Sequence, residues 1–296
     1  MLLIAGGDAD PQLRRMIDRA QVRGLPIKTL LHSDGGQLLL DWDVASGILR
    51  SDGERIDVTG AFVRQDVFRF LNTKKQIDRD DARSWKILID GWLWSHPDIR
   101  LFNRGFAMKD AVNKPLALVW AREAGLSVPE TVLHSSVSVA QAALDRAAVV
   151  YKPVGGGDMC RELDAEALGR VTKDYLPRPY IFQEKLVPPE IRVFRVGETF
   201  FAFQIDADAL DYRTVGGDAK VTEVEPPAHL LNGLRSLTDR LGLTYTAADF
   251  KTRAATGELI FLETNSNPMF AAFDVASGGR LVDAMLDWLS ADHATT

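Results

Sequence analysis

The chain has 296 residues, of which 46% are hydrophobic and 26% charged, with a formal net charge of −6. This length exceeds one average domain and predicts more than one folding unit with a sizeable core. The acidic balance argues against non-specific nucleic-acid binding, and the single cysteine, Cys160, excludes an intrachain disulfide and predicts a reducing compartment.

At the amino end, MLLIAGGDADPQ lacks the basic and long apolar regions of a signal peptide, and no run of about 18 apolar residues follows anywhere. A cytoplasmic protein with no membrane partner is expected. Leu2 to Ala5 predicts a short strand ending at Gly6-Gly7. Leu13, Met16, Ile17 and Ala20 recur at helical spacing, and Gly24 stops that helix before Pro26. Ile27 to Leu31, Gln37 to Leu40, Gly47 to Arg50 and Ala61 to Arg64 read as strands, and Ile77 to Trp94 as a helix. The first hundred residues therefore predict a small α/β unit.

A second unit begins near Asn103. Ala107 to Ala124 predicts a helix, SVPETVL a loop into a strand, and Ala140 to Ala147 another helix. Val149 to Pro153 is an apolar strand running into Gly155-Gly156-Gly157. Tyr180 to Glu184, Ile191 to Val196 and Phe200 to Ile205 read as strands, the last two forming a hairpin at Gly197-Glu198. Leu230 to Leu241 is a helix, Tyr245 to Lys251 pairs with Glu258 to Thr264, and Leu281 to Leu289 closes the chain as a helix. Sequential hairpins predict α+β architecture with antiparallel sheets.

The chemistry concentrates in few places. Glu263 and Asn265, in FLETNSNPMF, lie two residues apart on a strand and so share a face. Asp249, inside the apolar stretch YTAADF on the paired strand, would lie near them. Three oxygen donors suit Mg²⁺, which fills its remaining positions with phosphate and water; a solvated sheet face is the alternative. A carboxylate within an apolar stretch needs a partner, which favours the metal. Lys152 precedes the triple glycine, where backbone N–H groups can approach a phosphate; a plain surface turn is the other reading. Neither a Walker loop nor GxGxxG is present. Arg192, set off from Ile191 and Val193 by the period of two, and Arg213 after Asp211-Tyr212 could each fork a carboxylate or phosphate, or form surface ion pairs. The histidines are scattered without zinc spacing, Cys160 reads as a small buried hydrophobe, and Trp85, Trp92 and Trp94 read as packing.

In order, NKPLALVWAREAGLSVPETVL, VVYKPVGGG, IFQEKL, PEIRVFRVGETFFAF, DYR, AADF and FLETNSNP resemble the ATP-grasp ligases over roughly residues 100 to 290. Within that family the chain is similar to the RimK-type branch and to the peptide ligases that make microviridin-like graspetides. The resemblance implies a Rossmann-like pre-ATP-grasp domain at 1–102, a central lobe at 103–182 and a carboxy-terminal lobe at 183–296, the two α+β lobes clamping a nucleotide. It implies that Lys114 and Lys152 reach the phosphates, that Gly155, Gly156 and Gly157 close over them, and that Gln183, Glu184 and Leu186 form the adenine-reading hinge. Glu190 would hold the ribose, Arg192 and Arg213 would serve the γ-phosphate and acyl phosphate, and Asp249, Glu263 and Asn265 would ligate one or two Mg²⁺ ions, with Mn²⁺ as a substitute.

The implied reaction activates a carboxylate with ATP as an acyl phosphate, which an amine or hydroxyl then displaces. A precursor peptide is one candidate substrate, amino acids and other acids are others, and homo-oligomers are frequent in the family. A nucleotide-binding regulatory protein without turnover and a small-molecule kinase stand as alternatives. Against the usual pattern, GGGDMC is a short loop, and Met269 and Phe270 follow the metal strand, where they are expected to shape an acceptor pocket.

Overall fold

The computed structural model describes residues 1–32, 39–64, 76–104, 113–145, 148–154, 160–169, 174–207 and 219–291. The amino-terminal unit runs β1 (Leu2–Gly7), α1 (Pro11–Val22), β2 (Ile27–His32), β3 (Leu40–Asp43), β4 (Ile48–Ser51), β5 (Glu54–Arg55), β6 (Gly60–Val63), α2 (Gln76–Trp94) and β7 (Arg100–Leu101). A parallel sheet in the order β2-β1-β6-β7 forms its centre, with β3-β4-β5 as a separate antiparallel sheet. β1 is buried on both faces, which explains its uninterrupted apolar run. Asp10 caps α1, its Oδ1 accepting from Gln12 N at 2.8 Å, and Pro11 occupies the first turn, where no donor is needed.

The next segment comprises α3 (Lys114–Glu123), β8 (Thr131–Ser136), α4 (Val137–Leu144), β9 (Val149–Pro153), β10 (Arg161–Glu162), α5 (Ala165–Gly169) and β11 (Tyr175–Glu184). Its antiparallel sheet has the order β10-β9-β11-β8. The last segment adds β12 (Val187–Val196), β13 (Thr199–Asp206), β14 (Lys220–Val224), α6 (Ala228–Leu241), β15 (Tyr245–Thr252), β16 (Leu259–Asn265), α7 (Ala271–Ala276) and α8 (Arg280–Ser290). Its antiparallel sheet is β14-β13-β12-β15-β16. The α/β unit followed by antiparallel α+β lobes matches the expected class. Strand β14 and helix α7 were not expected, and the strand expected at Gln37 to Leu40 begins at Leu40, residues 37 and 38 lying outside the described set.

Two cores flank the five-stranded sheet. On one face Ile191, Val193, Ala248, Phe250 and Phe261 pack under α6 and against Leu118 and Ala121 of α3. On the other, Phe194, Val196, Tyr245 and Ala247 meet Leu13 and Met16 of α1, Phe62 of β6, and Met285 and Leu286 of α8. Burying each large side chain contributes about 1.5–3 kcal/mol, so this shared core ties the amino-terminal unit firmly to the last sheet. An ionic ladder at helical spacing reinforces the seam: Arg15 pairs with Asp274 at 2.6 Å, Arg19 with Asp283, and Arg23 with Asp287 at 2.5 Å. Among the described residues no helix is long and apolar enough to cross a membrane.

Candidate functional site

The second face of the five-stranded sheet changes character along its strands. In β12 the buried Val196 and Phe194 give way to Arg192 and Glu190; in β15 Tyr245 and Ala247 give way to Asp249 and Lys251. Period-two alternation keeps each set on one face, so the charged half is a continuation of a core face. Register then pairs the charges: Arg192 lies opposite Asp249, Glu190 opposite Lys251, and Asp249 opposite Glu263. A β-bulge where Asp249 and Phe250 meet β16 is needed for this. Phe261 faces Phe250 in the α6 core, and without the extra residue Glu263 would follow it there; the bulge returns Glu263 to the side of Asp249.

Arg192 grips Asp249 with a fork, Nε donating to Oδ1 at 2.6 Å and Nη2 to Oδ2 at 2.8 Å. Both residues are 6% exposed, so the carboxylate suspected from its apolar surroundings has a buried cationic partner. Asn265 Nδ2 reaches Asp249 Oδ2 at 3.3 Å, which leaves Oδ1 as the amide atom that could face a cation. Lys251 Nζ lies 3.1 Å from Glu190 Oε2. Burial pushes the Glu190 carboxyl up, and neighbouring Asp249 adds to this, while Lys251 opposes both.

Two lysines meet Glu263 from outside this sheet. Lys114 opens α3 and stands 3.0 Å from Glu263 Oε2; Lys152 of β9 stands 3.8 Å from the same oxygen. Asn113 caps α3 through Leu116 N at 3.0 Å, and Leu118 and Ala121 seat the helix on the core beneath β16. Lys114, carried at the helix amino terminus, and Lys152 therefore converge on one carboxylate. Lys152 shares a face of β9–β11 with Val150, Ile181 and Gln183, whereas Tyr151 and Phe182 turn to the opposite core. Burial pulls the Lys152 ammonium down; Glu263 counters this and Lys114 adds to it. Gln183 is buried, with Nε2 on Thr131 Oγ1 at 3.1 Å, and Leu186 lies buried between β11 and β12. The Glu184 side chain turns to Arg253, whose Nη2 donates at 2.7 Å and which also bonds Val128 O and Glu258.

The structure thus gathers Lys114, Lys152, Glu190, Arg192, Asp249, Glu263 and Asn265 in one cluster. Gly155, Gly156, Gly157 and Arg213 lie outside the described residues. Phe270 corrects an expectation: it is fully buried against Phe62 and Tyr245 in the shared core, so it lines no acceptor pocket, while Met269 is 46% exposed. Cys160 is half-buried and near enough to Lys152 to influence its charge, so it is not a core hydrophobe. Trp92 packs as expected, but Trp94 is 39% exposed. Lys251 was missed although its signal was present, because YTAADFK places it two residues from Asp249 on the same strand face.

The donor set fits a hard cation. Among the described residues no three His, Cys, Asp or Glu side chains cluster, and the site offers two carboxylates and one amide. Such a partial oxygen set suits Mg²⁺, which keeps waters and takes substrate phosphates.

No family model matches the sequence, and no curated protein matches it. Solved structures do. The ATP-grasp ligase PsnB, complexed with a phosphomimetic variant of minimal precursor, Mg and ADP, aligns at TM-score 0.76 and 22% identity over 98% of each chain. The macrocyclase MdnC from Microcystis aeruginosa MRC, bound with precursor peptide MdnA, aligns at 0.76 and 18% identity over 98% of this chain and 99% of its own. A RiPP-associated ATP-grasp ligase of Chryseobacterium gregarium, in complex with ADP and a leader and core peptide, aligns at 0.74 and 18% identity over 97% and 96%. This likeness, which runs nearly the full length of both partners in each case, shows that the chain has the ATP-grasp fold.

Proposed function

We propose that the protein is an ATP- and Mg²⁺-dependent ligase that joins a carboxylate to an amine or hydroxyl through an acyl phosphate. The observation that carries this is the meeting of Lys114 and Lys152 at Glu263, directly across from Asp249. Cations for phosphate and oxygen ligands for a metal then stand within one ion-pair distance. The fold and the ADP, Mg and precursor peptides in the solved structures it resembles support the same reading and favour a peptide substrate.

ATP supplies the phosphoryl group, and Mg²⁺ offsets the charge of the two anions that must meet. The residues hold the partners. Lys114 and Lys152 would bind phosphate oxygens, Asp249, Glu263 and Asn265 would ligate the ion, and Glu190, oriented by Lys251, would receive the ribose. Gln183 and the chain through Leu186 would border the base. Arg192 would act through Asp249, keeping that ligand aimed. A substrate carboxylate oxygen takes the terminal phosphoryl group as its bond to ADP breaks. The nucleophile then bonds to the acyl carbon, phosphate leaves, and the nucleophile's proton is released. Gly155–Gly157 are proposed to close over this intermediate and exclude water, and Arg213 to serve the γ-phosphate and acyl phosphate. We place the reaction in the cytoplasm, in keeping with the single cysteine.

The test is ADP release over a panel of acidic peptides with hydroxylamine present. A hydroxamate formed in step with ADP is expected. A phosphate ester with no hydroxamate would make the protein a kinase, and tight ATP binding without turnover on any acid would make it a regulatory binder.

A further inference from the structure

The segment that follows Asn265 is held almost entirely by residues of the first 103. Asn103 Nδ2 donates to Ser266 O at 2.9 Å and Tyr245 O at 2.7 Å, and its Oδ1 accepts from Tyr245 N at 2.8 Å. Arg64, at the end of β6, donates from Nη1 to Asn267 Oδ1 at 2.6 Å and to Pro268 O at 2.9 Å, and from Nε to Asp10 Oδ2 at 2.8 Å. Gln12 Oε1 accepts from the backbone N–H of both Phe270 and Ala271 at 2.6 Å. Arg64 is 2% exposed, Asp10 0% and Gln12 4%. Asn103, Arg64 and Gln12 thus grip Ser266 to Ala271 along its length.

From this we infer that Arg64 is a positioning residue for the metal ligands, and that the amino-terminal unit is a working part of the metal face. The inference rests on the proposed function, because it concerns the same ion. Asn265 is the last residue of β16, and its pairing with Ala247 ends the ladder. Beyond that point the sheet no longer dictates the backbone, so the direction of the Asn265 amide depends on where Ser266 and Asn267 are fixed. Arg64 fixes Asn267 and Pro268 through one guanidinium nitrogen, Nη1, while its Nε is locked on buried Asp10. A site ligand held at one end only loses geometry quickly, whereas one held on both sides stays aimed. A guanidinium buried merely to join two units would have no reason to place its bonds on the second and third residues past a ligand strand.

The experiment compares wild type with Arg64→Lys, Asn267→Ala and Arg19→Gln. Mn²⁺ binding with saturating ADP is read by electron paramagnetic resonance, ADP binding without metal by calorimetry, and folding by thermal midpoint. Loss of an outer-shell support weakens metal binding by about 10–100-fold, so Arg64→Lys and Asn267→Ala should raise the Mn²⁺ Kd by at least about 10-fold while leaving metal-free ADP binding in place. Asn267 is exposed apart from its bond to Arg64, so Asn267→Ala decides the matter if Arg64→Lys fails to fold. Arg19→Gln loosens the same seam through the α1–α8 ladder and should lower the midpoint without moving the Mn²⁺ Kd. Folded variants with wild-type Mn²⁺ affinity, or an equal loss in Arg19→Gln, would overturn the positioning role alone. A wild-type protein that binds neither ADP nor Mn²⁺ would overturn the proposed function beneath it.

Discussion

Replacing Arg192 by Met tests whether the charged half of the sheet is built as described. The substitution keeps bulk on the sheet face but removes both bonds of the fork, leaving the buried Asp249 with the 3.3 Å contact to Asn265 and with Glu190 as an electrostatic opponent. Removing one partner of a buried ion pair typically costs about 3–5 kcal/mol, because the other charge stays desolvated. At roughly 2–4 °C per kcal/mol for a chain of this order of size, the thermal midpoint should fall by about 6 °C or more. Asp249→Asn in the same background removes the stranded charge, so the double variant should recover much of the loss, a coupling a double-mutant cycle reads directly. Scanning calorimetry of wild type, both single variants and the double variant gives the four numbers needed. If Arg192→Met and the double variant melt together, Asp249 is not a stranded carboxylate and the pairing described here is wrong. Magnesium and ADP supply a second arm: with Asp249 no longer aimed by Arg192, the Mg²⁺ Kd should rise in Arg192→Met, while ligand at a hundredfold excess over each protein's own Kd should stabilise it by about 2.7 kcal/mol.

Glu263→Gln should abolish ADP release, and in calorimetry ADP alone should bind at least as tightly as to wild type, since Lys114 and Lys152 lose their carboxylate, while Mg²⁺ should no longer strengthen it. Full turnover in this variant would remove Glu263 from the site. Gly60→Ala should be strongly destabilising by thermal melting, because a Cβ there would sit 2.2 Å from Leu289 O and 2.9 Å from Leu2 Cδ2; Gly169→Ala, with nothing within 4 Å among the described residues, is the tolerated control. Tyr245→Phe should stabilise or leave stability unchanged, since the buried hydroxyl has no hydrogen-bond partner among the described residues, and an unmade buried bond costs about 1–3 kcal/mol. Burial pushes this hydroxyl far above its ordinary pKa of 10.0. The unfolded chain then loses the proton first, so wild-type stability falls as pH rises past about 10 while that part of the fall is missing in Tyr245→Phe, which denaturant titrations at pH 9 and 11 will show.

Sequence reasoning reached furthest where a local period carries the information. Val149–Pro153, the β12–β13 hairpin and the shared face of Glu263 and Asn265 all follow from alternation within a few residues, and each is present. It failed where the cause is distant. Phe270 looked like a pocket residue beside the ligands, because nothing in FLETNSNPMF discloses that Phe62 and Tyr245 wait on the far side. Arg64 ended an apparent strand with no visible task; its partners lie 54 residues and about two hundred residues away in sequence. The bulge that brings Glu263 to Asp249 was equally hidden, since alternation alone from Phe261 would have sent Glu263 into the α6 core. Lys251 was the avoidable omission.

The ion pairs of the charged cluster divide by what fixes them, and this division says which of them a ligand can exchange. Arg192–Asp249 and Glu190–Lys251 are cross-strand neighbours within one sheet, so ladder register sets their distances. Breaking either one requires a side chain to leave a partner the backbone holds in place. Lys114–Glu263 and Lys152–Glu263 instead join β16 to a helix and to a strand of another sheet, and only side-chain reach closes them. If the site binds as proposed, a bound phosphate would offer both lysines a better anion than Glu263, and an accompanying divalent cation would offer Glu263 a better partner than two lysines. The exchange is therefore mutual: each ligand relieves the group that the other leaves behind. Nucleotide and metal should accordingly bind with positive coupling that disappears in Glu263→Gln but survives, at reduced stability, in Lys251→Met, whose pair stands apart from the exchange.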